Sequence, residues 1–372
     1  MLQTETIHPS RLTPGQITAW RGLCANHPAF SNPLLGPDFT LAVGAVREDA
    51  RVTVGYQACA PVLFWPHHSR PGGLARPIGA PFSDYHGVVA DPAVPFSPTD
   101  LLAEASVNRF LFEGLVDPQG RFADFVSARS PVFGVRLATT AEAYFEALRG
   151  DSPKRFKNMR RLEHKLDREV GAIALTAPDR DPKAFELLMA WKSDQFRRTG
   201  LHDVLAPDWV RTLMQRLFVT ENQPMQGMLV TLRAGGRPVA AHFGVRAGST
   251  FHPWIAAFDP EFAAYGPGVT LVSQAIRAMG RLGLTSYDLS GGHDHYKRPF
   301  VVGSETVAQG MAALGGRAAP ARRFAERPSA LVRVGRRLDH IAAAEPTLAG
   351  RMGGVLTALA GASLRLGGGG AE

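Results

Sequence analysis

The stretch FHPWIAAFDPEFAAYGPGVTLVSQAIRAMGRLGLTSYDLSGGHDHYKRPF, residues 251–300, decides how this chain is interpreted. Its pattern predicts a strand over Thr250–Phe258, a helix over about Val269–Leu282 and a second strand over Ser286–Leu289. The turn Tyr265-Gly266-Pro267-Gly268 begins the helix. The first backbone N–H groups of a helix lack internal partners and carry partial positive charge, so the turn is a candidate anion site. The same glycines also suit an ordinary loop between a strand and a helix.

Four segments follow one another in an order that resembles a known family. They are Trp191-Lys192 in a predicted helix, Gly235–Ala241 in a hairpin, the turn at 265–268, and Asp288 followed by Gly292 and Tyr296-Lys297. The order resembles the CelD-type acetyltransferases, GNAT (Gcn5-related) proteins associated with cellulose or exopolysaccharide biosynthesis. These are similar to the FemABX peptidyltransferases, which carry two GNAT-like domains in tandem. The resemblance covers residues 150–300 well and the preceding region loosely.

The resemblance implies an α/β fold with a GNAT-like mixed sheet flanked by helices, in two tandem domains. We expect a degenerate N-terminal GNAT-like domain over residues 1–140 and a C-terminal acyl-CoA-binding domain over residues 141–315. A basic tail rich in Ala, Arg and Gly would follow over residues 316–372, flexible or loosely docked, with an amphipathic helix over Leu331–Ile341. The sequence shows no internal repeat, so any relation between the halves would be structural only.

Periodicity and turn residues predict the remaining elements. Helices are expected over Phe39–Arg47, Thr99–Phe112, parts of 140–171, Pro182–Gly200 and Pro207–Val219. Strands are expected over Val52–Tyr56, Pro61–Trp65, part of Phe122–Phe133, Met228–Leu232 and Val239–Val245.

Composition bounds the class of protein. The 372 residues are 45% hydrophobic and carry a net charge of +8, of which residues 154–168 hold +5 (seven Lys/Arg, two acids). Such clusters suit nucleic acid, anionic lipid or a phosphorylated substrate, but no nucleic-acid motif accompanies them.

Only two cysteines are present, Cys24 and Cys59, which gives neither a disulfide framework nor a metal site. With no signal-like or membrane-spanning apolar run, we expect a cytoplasmic protein whose membrane contact is at most peripheral, at the inner face, through the basic tail.

The resemblance implies acyl-CoA, acetyl-CoA in particular, as the co-substrate, and no metal. The expected cofactor-binding residues lie in the glycine turn and on either side of it: Phe258, Tyr265, Gly266, Gly268 and Val269. Pro267 departs from the usual glycine pattern of the family, and its missing N–H removes one phosphate hydrogen bond.

Acyl transfer from a thioester requires that the thioester is held, its carbonyl polarised and the acceptor deprotonated. In the GNAT fold, backbone N–H groups of a splayed fourth strand do much of the first two tasks, and here that strand is Thr250–Phe258. Candidate bases are His252, His242 and Asp288. Asp288 is equally suited to capping the turn at Ser290-Gly291-Gly292.

Other candidates come from two loops and one helix. By the resemblance, Tyr296 would protonate the leaving thiolate and Lys297 would bind a phosphate, with His293 beside them. In Ser83-Asp84-Tyr85-His86, the resemblance lets Asp84 orient or deprotonate the acceptor, with Tyr85 and His86 binding it; an Asx-type turn is the equal alternative. Trp191 and Lys192 are candidates to line the substrate cleft.

The resulting prediction is an acyl-CoA-dependent N- or O-acyltransferase that works by direct transfer with a general base. The resemblance implies a sugar, or a nucleotide- or lipid-linked precursor of an envelope polysaccharide, as acceptor. Two alternatives stay open. One is a FemABX-like transferase that uses aminoacyl-tRNA, and the other is a non-catalytic scaffold of a polysaccharide synthase complex.

Overall fold

The computed structural model describes residues 2–291, 297, 300, 305–315 and 329–367. Its internal contacts divide the chain into two compact units. The first unit consists of Met1–Ser130, Phe196–Leu213 and Thr306–Glu372, and the second of Pro131–Gln195 and Met214–Glu305.

The first unit is built on an eight-stranded sheet with helices. Its strands are β1 (Gln3–Ile7), β2 (Ala50–Gln57), β3 (Ala60–Arg70), β4 (Leu74–Pro77), β5 (Val89–Ala90), β6 (Arg109–Leu115), β7 (Val126–Pro131) and β14 (Thr306–Ala313). Its first helices are α1 (Pro14–Asn26), α2 (Pro37–Gly44) and α3 (Pro98–Glu104). The strand order is β1-β2-β3-β4-β6-β14-β7, with β5 beside β3.

The second unit is built on a six-stranded sheet. Its strands are β8 (Phe133–Arg136), β9 (Ile173–Thr176), β10 (Met225–Ala234), β11 (Arg237–Ala247), β12 (Thr250–Phe258) and β13 (Ser286–Ser290). The helices are α4 (Ala141–Asp151), α5 (Pro153–Glu169), α6 (Pro182–Thr199), α7 (Asp208–Val219) and α8 (Pro267–Ala278), of which α6 and α7 each also carry residues of the first unit. The strand order is β8-β13-β12-β11-β10-β9.

Both sheets share one layout. From β1 to β6 and again from β9 to β13, the chain runs strand, two helices, three strands, one helix, strand, with β5 as an extra short strand in the first. Strands β7, β8 and β14 and helices α4 and α5 lie outside this common part. In each, four antiparallel strands in chain order are followed by one parallel pair, β4 with β6 and β12 with β13. The predicted fold class, a mixed α/β fold with two GNAT-like sheets flanked by helices, is confirmed. The halves therefore share a topology that their sequences do not reveal.

Proline sets the start of several helices. It occupies the first position of α1, α2, α3, α5 and α8. There its fixed φ suits the helix, and its missing N–H would have had no partner anyway. Thr13 adds a capping box to α1, exchanging hydrogen bonds with Gln16. Local sequence thus fixes where these helices begin.

The second sheet is covered on both faces. A core of buried residues joins α4, α5 and α8 to the sheet, and Phe251 and Tyr287 from the parallel pair lie in it. Phe243 of β11 packs with Phe185 and Phe218 of α6 and α7. The parallel pair is thereby held in the interior of the unit.

Most predicted elements around the glycine turn are found. The strand at Thr250–Phe258 has the predicted bounds, and the helix and second strand lie where expected, although α8 ends at Ala278. The helix predicted over Thr99–Phe112 is wrong in its second half. The helix ends at Glu104, and Arg109–Leu115 is a strand that pairs with β14, almost two hundred residues later in the chain.

Two helices near the C-terminus pack within the first unit. Helices α9 (Ser329–Ala344) and α10 (Leu348–Gly367) belong to the first unit. The last carbonyl groups of α9 need partners from outside the helix. Arg70 Nη2 donates to Ala342 O and Glu345 O, and Trp209 Nε1 donates to Ala344 O at 2.8 Å. This helix end is therefore docked within its unit. Within the described ranges, every helix is too short or too polar to cross a lipid bilayer.

Candidate active site

The start of α8 is held in place by glycine. Gly266 is left-handed (φ +59°), and a Cβ there would lie 2.9 Å from Cδ1 of Leu162 on α5, so both its conformation and its neighbour favour glycine. No side chain caps this helix end. A Cβ added to Gly268, in the first turn, would meet nothing within 4 Å. The first turn of α8 is therefore open on the side of Gly268, and Val269 beside it is half-buried.

Strand β12 separates from β13 soon after it begins. The parallel pairing joins only Thr250 to Ser286 and Phe251 to Tyr287, whereas β12 stays paired with β11 as far as Phe258. Among the described residues, no strand pairs with the edge of β12 that faces away from β11 beyond Phe251. This is the splayed strand that the sequence analysis placed here.

The direction of the backbone groups on this edge follows from one hydrogen bond. Asp259 N donates to Val239 O at 3.0 Å, so Asp259 points toward β11. The backbone N–H and C=O groups of successive strand residues point to alternate edges. Those of Ala257 therefore also point toward β11, while those of Ala256 and Phe258 point to the open edge. In agreement, Lys192 Nζ reaches Ala256 O from outside at 3.3 Å. The N–H groups of Ala256 and Phe258 therefore face the opening.

Histidine and aspartate lie together on the parallel pair. His252 is fully buried, and its Nδ1 lies 3.6 Å from Oδ1 of Asp288, whose side chain is 16% exposed. The carboxylate also accepts a hydrogen bond from Ser290 N at 2.8 Å. Asp288 thus makes the turn contact that was its alternative role and contacts a candidate base as well.

A second histidine occupies the other face of the sheet. Nδ1 of His242 lies 2.9 Å from the phenolic oxygen of Tyr287, and both groups are buried. Burial, with the positive charges of Lys297 and Lys192, lowers the pKa of His242 to about 3. The imidazole is therefore neutral at pH 7, and Tyr287 is a partner that the sequence analysis missed. Only its position beside Asp288 on a predicted strand gave a signal.

Two lysines approach this region. Lys297 is 8% exposed, and its ammonium donates to Gly291 O at 2.8 Å. Lys192 donates to Gln195 Oε1 and Ala256 O. Trp191, before it on α6, is half-buried. The predicted residues His293 and Tyr296 lie outside the described residues.

The predicted cofactor aromatics sit at the two ends of the connection from β12 to α8. Phe258 ends β12 and is 40% exposed. Tyr265 precedes Gly266, and Nζ of Lys165 lies 4.7 Å from its ring centre. Thr270, also near the start of α8, has a buried hydroxyl without a hydrogen-bond partner among the described residues.

The predicted acceptor residues lie in the first unit, in a loop beside β6. Gly114 has φ +97°, and a Cβ there would lie 2.3 Å from Asp84 O, so this glycine lets the loop approach. His86 N donates to Gly114 O, and Val116 N donates to His86 O, which covers the edge of β6. Tyr85 and His86 are buried, and Asp84 is half-buried.

The His86 side chain is turned into the first unit. Its Nε2 donates to Glu113 O at 3.1 Å, and burial lowers its pKa to about 3. The loop therefore occupies, in the first sheet, the place that is open beside β12 in the second.

Across the described ranges, no three His, Cys, Asp or Glu side chains come together in a way that would hold a metal ion.

Several solved structures are similar to this chain. FemX matches with a TM-score of 0.54 at 11% identity, over 87% of this chain and 100% of that one. The C-terminal DUF2156 domain of an Agrobacterium fabrum protein assigned as a lysylphosphatidylglycerol synthetase matches with 0.49 at 10% identity, over 84% and 94%. A tandem GNAT protein from the clavulanic acid biosynthesis pathway matches with 0.47 at 9%, over 85% and 99%. Identities this low concern the fold alone.

A family match supports an acyltransferase of the GNAT type, a class that uses acyl-CoA. Residues 153–298, which run from the start of α5 past the end of β13, match the family described as acetyltransferase (GNAT) domain. The match covers less than half of the chain, within the part whose sequence order resembles GNAT proteins. None of the curated protein sequences matches this chain.

Proposed function

We propose that the protein transfers an acyl group, acetyl in particular, from acyl-CoA to a hydroxyl or amine of a sugar or of a nucleotide- or lipid-linked precursor. The CelD-type resemblance is the reason for placing that acceptor in envelope or exopolysaccharide biosynthesis. The observation that carries the donor half of the proposal is the open edge of β12, which ends just before α8.

The donor would lie along this edge. Backbone N–H groups of Ala256 and Phe258 point into the opening and are suited to hydrogen bonds with the pantetheine chain and the thioester oxygen. The start of α8, with Gly266, Gly268 and Val269, would receive the pyrophosphate, because helix N-termini attract anions. Phe258 and Tyr265 would pack against apolar parts of the donor.

The proton transfers would fall to Asp288 and its neighbours. We assign Asp288 as the group that accepts the proton of the attacking hydroxyl or amine, because its carboxylate is the more exposed member of the pair. His252 would position it. The nucleophile attacks the thioester carbonyl directly, the C–S bond breaks, and the leaving thiolate takes a proton, for which Tyr296 is the proposed donor. Lys297 and His293 would bind phosphate and acceptor groups.

The first unit would serve the acceptor. We propose that it is a degenerate GNAT-like domain that binds no acyl-CoA of its own, because the loop at Asp84–His86 covers the corresponding edge of β6. Asp84, Tyr85 and His86 are the proposed acceptor-side residues, with Trp191 and Lys192 lining the donor side.

We place the protein in the cytoplasm, with a peripheral membrane contact through the tail. Several apolar side chains of the last two helices are more than 40% exposed: Val334, Leu338, Leu348, Met352 and Leu356. Exposed apolar residues with nearby arginines are typical of helices that lie on anionic membranes.

An aminoacyl-tRNA-dependent transferase is the second candidate. The observation in its favour is the exposed basic surface of α5, where Lys154, Arg155, Lys157, Arg160, Arg161 and Arg168 all face solvent. RNA binding by such a surface would weaken steeply with salt. A non-catalytic scaffold would instead use neither acyl-CoA nor aminoacyl-tRNA.

Thermal unfolding with acetyl-CoA, free CoA or ATP tests the proposal. A ligand that binds only the native state raises the midpoint as it saturates the protein. We expect acetyl-CoA and CoA to raise it and ATP to leave it unchanged. No shift with acetyl-CoA or CoA, together with a shift with aminoacyl-tRNA, would replace the proposal with the second candidate. No shift with any of them would favour the scaffold.

A further inference from the structure

Helix α5 lies against the start of α8, and its two flanks meet different parts of that region. Leu162 contacts Gly266, the residue just before α8. On one flank, Glu163 Oε1 accepts hydrogen bonds from Gln274 Nε2 at 2.6 Å and from Arg277 Nη1 at 2.8 Å, both in the body of α8. The side of α5 that carries Glu163 is therefore directed along α8.

The opposite flank lies ahead of the helix start. Lys165 is three residues after Leu162, which places it about 60° from Leu162 on the side away from Glu163. Its Nζ lies 4.7 Å from the ring centre of Tyr265, which precedes Gly266. Arg161 is four residues before Lys165 and therefore shares this flank. The basic flank of α5 thus borders the space in front of the first turn of α8.

Within the described part of the chain, neither Arg161 nor Lys165 forms an ion pair with an acid. Arg161 is exposed, and its Nη2 donates to the neutral side-chain oxygen of Asn158 at 3.0 Å. Lys165 is half-buried against Tyr265. Glu163, two residues from each cation, is engaged by Gln274 and Arg277 on the other flank. Asp167, two residues after Lys165, accepts a hydrogen bond from Ile173 N at 3.1 Å. Two cations therefore stand beside a helix start that already favours anions.

We infer that Arg161 and Lys165 bind the phosphates of the 3′-phospho-ADP end of coenzyme A and give the enzyme its preference for CoA over dephospho-CoA. The inference rests on the proposed function. The pyrophosphate at the start of α8 would leave the nucleotide end of the donor beside α5, and a terminal phosphate is the group that separates CoA from its dephospho form. Exposed cations add affinity for such a group without contacting the reacting atoms.

The test measures the affinities of CoA and dephospho-CoA by calorimetry for the full chain and its variants. We expect the unaltered protein to bind CoA more tightly. Arg161→Ala and Lys165→Ala should each weaken CoA about fivefold, the upper range for an exposed ion pair, and leave dephospho-CoA nearly unchanged. Lys165→Arg should keep the preference. Arg160→Ala removes an exposed charge on another side of α5 and should change neither affinity.

The outcomes separate the inference from the proposed function. Equal affinities for CoA and dephospho-CoA in the unaltered protein would overturn the inference and leave the acyl-CoA proposal standing. An equal loss for both ligands in Arg161→Ala and Lys165→Ala would also overturn it. Absence of binding by either ligand would instead overturn the proposed function. Should Lys165→Ala fail to fold, Lys165→Gln keeps the stem over Tyr265 and provides the same comparison.

Discussion

The phenolic oxygen of Tyr287 lies 2.9 Å from Nδ1 of His242, and this pair joins β13 to β11 across β12 within the sheet of the second unit. The Tyr287 ring also packs edge-on against Phe251, its partner in the short parallel ladder. The point from which β12 and β13 diverge is therefore fixed by a buried polar contact as well as by packing.

The first prediction concerns this contact. Tyr287→Phe keeps the ring but removes the hydrogen bond, so we expect the free energy of unfolding to fall by about 1 kcal/mol. A double-mutant cycle with His242→Leu, followed by urea unfolding, isolates the contribution of the pair. Simple additivity of the two changes would mean that the contact carries no energy.

The second prediction concerns the open edge of β12. Ala256→Pro removes an N–H that points away from β11, so the sheet should tolerate it as an edge position. If that N–H stabilises the thioester oxygen, turnover should fall about a hundredfold or more while CoA still binds. Ala257→Pro is the matched control, because its N–H points toward β11 and its loss should destabilise the fold. Full activity in Ala256→Pro would remove this donor from the mechanism.

The third prediction concerns the first turn of α8. Gly268→Asp has room for its side chain, and an acid near a helix N-terminus does not destabilise the helix, so the fold should persist. The negative charge should abolish binding of CoA. Gly268→Ala adds only a methyl group in open space and should bind CoA nearly normally. Undiminished CoA affinity in Gly268→Asp would place the phosphates elsewhere.

The sequence predicted the region from β12 to β13 because each signal there is local. Glycine and proline mark the turn, and the apolar spacing of α8 marks the helix. The prediction for Arg109–Leu115 was wrong because the signal that decides it is not local. Phe110, Leu111 and Phe112 form a short apolar run that suits a strand or a buried helix when viewed alone. The partner that makes them a strand, β14, is remote in the chain. The contacts of Tyr287 with His242 and of Lys192 with Ala256 are likewise set by pairing across the sheet, which no local pattern encodes.

The fourth prediction concerns the acceptor. Asp84→Asn should lower turnover about a hundredfold, the range of a lost acid–base group, with little effect on CoA affinity. Asp91→Asn is the control, because the Asp91 carboxylate accepts a hydrogen bond from Ala93 N in another turn of the same unit. Equal, small effects of the two substitutions would assign Asp84 to its turn.

The fifth prediction concerns pH. Burial lowers the pKa of His67 and His68 to about 4 and of His86 and His242 to about 3. In the unfolded chain these groups take up protons near pH 6.5, so the unfolded state binds more protons between about pH 6.5 and 4. Stability should therefore be complete above that range and fall with acid, by at most about 1.4 kcal/mol per pH unit for each histidine.

Urea unfolding at several pH values measures this dependence. His86→Leu should flatten the curve while lowering stability at neutral pH, because Glu113 O loses its donor. His164→Gln alters an exposed histidine and should leave the curve unchanged. A curve that is flat between pH 6.5 and 4 in the unaltered protein would contradict the prediction.

The position of β14 in the chain has a consequence for how the protein is made. This strand completes the first sheet beside β6, yet it leaves the ribosome only after every strand of the second sheet. During synthesis, the N-terminal half therefore waits with the β14-facing edge of β6 unpaired, and such an edge invites pairing with other chains. The second unit has all its strands before β14 appears, so the half that is translated first is the half whose sheet is finished last.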